Sequence, residues 1–179
     1  MPLPERPHGT TLTLADGRRL RLRPIRPDDV EALRRGFSRL TPEQVRLRVF
    51  HMMTELSAEA AERLCNPDPD QEVAYVAVDA EGEIRGEARF HISRGSGKAE
   101  FGIIVDPSLT GMGVGRALMR KLLIAARRRG LKEVWGLVLT ENFNMIDFSH
   151  RLGAQREPVA DEPACVRVRF VLAPSRHDA

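Results

Sequence analysis

The sequence predicts a mixed α/β (α+β) domain, a mostly antiparallel central sheet flanked by helices. Three observations lead there. Apolar runs of strand length recur, and several are joined by short turns containing Gly, Asp or Ser, the kind that connect antiparallel neighbours. Segments with helical periodicity stand between those runs, so neither element type is confined to one end. With 179 residues, 42% apolar and 30% charged, the chain has ordinary soluble composition and length for one full-sized core. One domain over residues 1–179 is expected.

Residues 10–14 and 19–23 alternate about Ala15-Asp16-Gly17-Arg18, a hairpin signal that Pro24 and Pro27 end. Asp28 or Asp29 can cap a helix to about residue 40, with Val30, Leu33 and Phe37 on its apolar face. Thr41-Pro42-Glu43 starts a second, with Val45, Val49 and Met52 inward. Ser57 opens a third, to Leu64 or Cys65, and residues 66–70 form a Pro- and Asp-rich loop. Residues 72–79 and 84–93 pair around Ala80-Glu81-Gly82-Glu83, and 98–105 completes a meander after Gly95-Ser96-Gly97. A helix from Val114 ends at Gly130; Arg127, Arg128 and Arg129 suit its last turn without any ligand. A strand at 133–139, a helix at 142–152 and a strand at 165–172 follow.

The chain is organised around residues 98–129. An apolar strand is closed by Asp106-Pro107, Gly111, Gly113 and Gly115 alternate with Met112 and Val114, and Val114, Leu118, Leu122 and Ala126 repeat at helical spacing. Strand, glycine turn and helix in that order leave backbone N–H groups at an open, electropositive helix start, which suits a phosphate or pyrophosphate. The competing reading is a tight strand-to-helix connection with no ligand. The spacing is neither G-x-x-x-x-G-K-[ST] nor G-x-G-x-x-G, which excludes a P-loop and a dinucleotide fingerprint.

With its flanks, this segment resembles motif A of the GNAT superfamily of N-acetyltransferases, [RQ]-x-x-G-x-[GA] after an apolar strand. Thr110 stands where Arg or Gln is usual. The resemblance spans a core of about residues 21–172, and LRPIRPDD, LTPEQVRLRVFH and PDQEVAYVAV look like the bacterial protein-lysine acetyltransferase branch. It implies a GNAT-like sheet with strands splayed at a CoA slot, acetyl-CoA as co-substrate, and an amine acceptor, either a protein lysine or a small molecule. It further implies that backbone groups of Gly111, Met112, Gly113, Val114, Gly115 and Arg116 cradle the pyrophosphate. Backbone groups of Ile103, Ile104 and Val105 would bond the pantetheine arm, with a strand bulge opening the slot. The side chains of Arg116 and Arg120 either reach the phosphates or are solvated helix charges.

Acetyl transfer to an amine needs a neutral nucleophile, and a lysine amine has an unperturbed pKa of about 10.4, so a base is useful. Glu100 interrupts an apolar strand. It is either a desolvated general base, the role the resemblance implies, or the partner of Arg85 or Arg89. In the pattern N-x-x-A-x-x-x-Y-x-x-x-G-F, Asn142, Met145, Ser149 and Gly153 fill the named places. Ser149 therefore replaces the tyrosine acid, and a serine hydroxyl donates a proton far less readily. Asn142 either bonds the pantetheine arm or is a plain N-cap. His150 reads as a surface histidine.

The chain's net charge of +3 is spread and locally paired, and with one Tyr and one Trp there is no stacking platform for nucleic acid. Cys65 and Cys165 stand alone, the five histidines show no paired spacing, and no metal is expected. No run reaches membrane-span length and the N-terminus has no apolar leader region, so the expectation is a cytoplasmic protein with no membrane partner. Oligomeric state is open, a homodimer being one option. The leading reading is an acetyl-CoA-dependent N-acetyltransferase acting by direct attack in a ternary complex. A non-catalytic acetyl-CoA sensor is the second, suggested by Thr110 and Ser149, and a nucleotide-phosphate binder the third.

Overall fold

The computed structural model describes residues 9–48 and 56–173; Val49 and Met52 of the expected second helix lie outside them. The opening hairpin forms β1 (Thr10–Thr13) and β2 (Arg19–Pro24). A 3-10 turn at Pro27–Asp29 leads into α1 (Val30–Ser38), followed by α2 (Pro42–Arg48) and α3 (Ala58–Cys65). Asp29 does not cap α1 with its side chain; its carboxylate takes both Arg23 nitrogens at 2.8 Å and the Arg26 N–H at 2.7 Å. Thr41 and Ser57 do cap, accepting from the N–H groups of Gln44 and Ala60.

The meander is β3 (Glu72–Val78), β4 (Ile84–Ser93) and β5 (Lys98–Val105); α4 (Val114–Arg128), β6 (Glu133–Leu139), α5 (Phe143–Arg151), β7 (Gln155–Pro158) and β8 (Cys165–Val171) follow. The eight strands form one sheet in the order β1-β2-β3-β4-β5-β6-β8-β7, and β5 with β6 is the parallel pair in it. β7 lies at the edge and was not expected from the sequence.

Alternation divides each strand between two faces. One face, with Leu22, Phe90 and Val134, packs against Leu118, Met119 and Leu122 of α4. The other, with Ala74, Val76 and Ile84, packs under α1 and α3. That second cover stops at β4: beyond it Glu100, Leu137 and Val171 are exposed. A cavity of about 130 Å³ lies under α1, lined by Leu33, Phe37, Leu56, Ile104, Glu87 and Asp106 among others.

Candidate active site

The site begins where two strands part. β5 pairs with β6 only over Lys98, Ala99 and Glu100, opposite Glu133, Val134 and Trp135. Past that point β5 stays bonded to β4 up to Val105, and β6 turns to β8 up to Leu139. A slot therefore opens between Phe101–Val105 and Gly136–Leu139. The expected bulge in β5 is absent, since its register with β4 is unbroken over all eight residues. The wedge is a side chain. The Phe101 ring lies edge-on to Phe170 with centroids 5.8 Å apart, and a Cβ on Gly136 would meet it at 2.9 Å, so a glycine makes room for the ring at the fork.

Peptide orientation inside the slot follows from two bonds. The Gly97 carbonyl accepts from Lys132 on the β6 side, and the Asp106 N–H donates to Arg85 on the β4 side. By alternation the peptide groups of Ile103 and Val105 face the slot, whereas those of Ile104 face β4. Ile104 thus departs from the expected role. The Val105 carbonyl already accepts from Gln44 Nε2 at 3.0 Å, which sets α2 across the slot's mouth.

At that mouth stands the glycine turn. Asp106 accepts from the N–H and hydroxyl of Ser108 and from Arg39 and Arg85, closing β5 into a 3-10 turn at Pro107–Leu109. Burial alone would raise its carboxyl, but these donors hold it down to about 2. Gly111 and Gly113 have φ of +79° and +88°, conformations costly for other residues, and a Cβ on either would meet nothing within 4 Å. The turn is bare toward solvent. Gly113 is the N-cap of α4 and supplies no side chain, so the amides of Gly111, Gly113, Val114, Gly115 and Arg116 have no acceptor among the described residues. Met112 differs from the expectation: its N–H bonds to the Leu109 carbonyl at 3.2 Å. Arg116 and Arg120 are exposed.

Two side chains, Glu100 and Ser149, stand otherwise than the sequence suggested. Glu100 is exposed; it points away from the core between His91 and Trp135, on the sheet half that α1 and α3 leave open. Arg85 and Arg89 are engaged elsewhere, with Asp79 and Asp106 and with Glu87. Ser149 is sealed in the core-facing stripe of α5, 0% exposed, and its hydroxyl has no partner among the described residues. With no exposed surface, it does not present its hydroxyl to solvent as the expected proton donor would. Asn142 caps α5, its Oδ1 accepting from Met145 N–H at 3.2 Å. Sequence reasoning missed Glu87, a carboxylate 3% exposed in the wall of the cavity beside Ile104. Its one signal was an acidic residue amid the apolar positions of β4. Both cysteines are buried, and burial pushes the Cys65 thiol up to about 11 and Cys165 upward as well.

The family model described as Acetyltransferase (GNAT) family matches residues 38–154. The chain belongs to the GNAT family of acetyltransferases. It is 32% identical over 151 residues to an acetyltransferase of Pseudomonas aeruginosa, covering 82% of this chain and 81% of that one. To the acetyltransferase Pat of Mycolicibacterium smegmatis it is 30% identical over 135 residues, 74% of this chain but only 40% of Pat. Among solved structures, the GNAT domain of S. lividans PAT superposes with a TM-score of 0.84 at 27% identity, over 92% of this chain and 97% of that one. A cAMP-binding acyltransferase from Mycobacterium smegmatis gives 0.63 at 25% identity, with 93% of this chain on 48% of that one.

GNAT enzymes use acetyl-CoA as co-substrate, and the residues present fit it. Five amides without an acceptor among the described residues, beside a turn with glycine at 111 and 113, suit a pyrophosphate, and slot-facing peptide groups at Ile103 and Val105 suit an amide-bearing arm. No helix of the described residues is long and apolar enough to cross a membrane, and among them no three His, Cys, Asp or Glu residues cluster as metal ligands would.

Proposed function

We propose that the chain transfers the acetyl group of acetyl-CoA to an amine, a protein lysine or a small-molecule amine, by direct attack in a ternary complex. The observation that carries this reading is the slot between β5 and β6, open at one end on the glycine turn and closed at the other beside Glu100. The amides of Gly113, Val114, Gly115 and Arg116 bind the pyrophosphate at the start of α4, and Arg116 adds a cation. The five residues from Phe101 to Val105 line a run of roughly 16 Å, along which the peptide groups of Ile103 and Val105 hold the arm. The bound co-substrate supplies an activated thioester whose thiol, with a pKa of about 8.5, leaves without a strong acid.

At the closed end Glu100 accepts the proton of the incoming ammonium. Its exposure supports transfer through water rather than a desolvated carboxylate. A Ser149 with no exposed surface supports proton return to the sulfur from solvent or from the nitrogen that has attacked the thioester and must shed a proton to become the amide. Two raised, buried thiols give no nucleophile for a covalent acyl-enzyme at neutral pH, which favours direct attack.

The test is acetyl transfer to a lysine peptide and to a polyamine at neutral pH, comparing wild type with Glu100→Gln. A drop in kcat/KM of about a hundredfold, recovered in part as pH rises, is expected for loss of a base. Equal rates would remove Glu100 from the mechanism. Tight acetyl-CoA binding without thiol release on any amine would instead mark a module that only senses the co-substrate.

A further inference from the structure

The sheet half left open by α1 and α3 carries Arg167, whose cross-strand acid Glu157 is bonded to Arg169 instead. Arg167 lies on β8 opposite Leu137, and its guanidinium carbon sits 4.5 Å from the centre of the Trp135 ring. Trp135 is the last residue of β6 paired with β5, directly across from Glu100, so the stacked guanidinium stands at the fork where the slot closes. Its neighbours on the same face are all bound. Arg89 holds Glu87, and Arg169 holds Glu133 at 2.9 Å together with Glu157. Arg167 has no carboxylate partner among the described residues, and its Nε–H is buried without an acceptor.

The Nε–H is sealed, but Arg167 as a residue is only partly buried, and stacking on an indole fixes the planar guanidinium so that little entropy is lost when its outer nitrogens are engaged from outside. A guanidinium held in this way takes a carboxylate. The surface around it is a strand face with Leu137 and Val171 exposed, which suits a length of polypeptide rather than an enclosed small molecule.

We propose that Arg167 anchors an acidic side chain next to the acceptor lysine, so that the acceptor is a polypeptide lysine in acidic sequence. This rests on the transferase reading above and narrows it. The geometry also gives a spacing. Arg167 is two strands from Glu100 and two residues out of level with it, about 12 Å, and an extended peptide advances about 3.3 Å per residue, so the acid lies three or four residues from the lysine.

The experiment measures steady-state acetylation by the full chain of paired peptides that differ only in Glu or Gln three residues from one lysine. Wild type, Arg167→Met and Arg167→Lys are compared, and acetyl-CoA titration reports that each variant still folds its slot. The Glu peptide is expected to show a KM about tenfold lower in wild type, the scale of one charge-assisted hydrogen bond at a half-exposed site. That ratio falls to about one in Arg167→Met and recovers partly in Arg167→Lys, with the change in KM rather than kcat. Equal KM values in wild type, or a preference that survives Arg167→Met, would overturn the proposal. If no peptide is acetylated while a small amine is, the proposal falls and the transferase reading stands; if no amine of any kind is acetylated, both fall.

Discussion

Two helices face the slot, and their N-termini are built differently. α5 starts at Asn142, whose side chain takes the Met145 N–H, so one of the helix's free donors is satisfied within the chain. α4 starts at Gly113, which has no side chain to offer, and the turn before it is held in a left-handed backbone by two glycines. Every α-helix begins with four unsatisfied N–H groups, and a cap worth about 1 kcal/mol is the ordinary remedy. The longest of the described helices forgoes it. Its first donors have no acceptor among the described residues, which is what an anion from outside the chain would need and what the capped start of α5 offers less well.

The comparison can be broken most severely at Gly113. Gly113→Val forces a β-branched residue toward negative φ and turns the amides away, so the acetyl-CoA Kd should rise about a hundredfold by calorimetry. Gly113→Asn, which tolerates the left-handed region, should keep most of the affinity. If both variants bind alike, backbone conformation is not what makes the socket. Next is the fork: Gly136→Ala puts a methyl 2.9 Å from the Phe101 ring. Overpacking costs about 1–3 kcal/mol and should lower Tm by roughly 3–10 °C, with weaker acetyl-CoA binding as Phe101 is pushed into the slot.

The acid limit reports the support under the turn. The Asp106 carboxyl, held to about 2 when folded, stabilises the fold fully above its unfolded value of about 3.9 and loses that contribution as pH falls toward 2. The loss is on the order of 2 kcal/mol, read as a fall in urea midpoint between pH 4 and 2 that Asp106→Asn should flatten. The smallest effect sharpens the contrast itself. Asn142→Ala should cost about 1 kcal/mol, a Tm drop of roughly 2–4 °C, while the acetyl-CoA Kd moves less than about threefold. A larger change in Kd than in Tm would show Asn142 acting on the arm.

Much of this was legible in the chain. The bounds of β4, β5 and β6 follow from β-branched runs closed by Gly95-Ser96-Gly97, Asp106-Pro107 and Gly130, because turn residues punctuate strands locally. β7 was missed because Gln155, Arg156 and Glu157 carry no alternation and Pro158 argues against a strand; it forms as an edge partner of β8. The glycine turn before α4 was legible since positive φ calls for glycine at 111 and 113. Glu100 was read as buried because a strand's sequence does not tell which face lacks a covering helix. Ser149 was read as slot-facing because helix position gives a stripe, not the depth at which that stripe is packed. Nor does any spacing reveal that Gly136 exists to admit Phe101.

The most direct test follows backbone amide resonances while acetyl-CoA is added. The account predicts saturable binding with the largest displacements at Gly113, Val114, Gly115 and Arg116, and little change at the capped start of α5. Binding that leaves those four amides unmoved, or no binding at all, would contradict it.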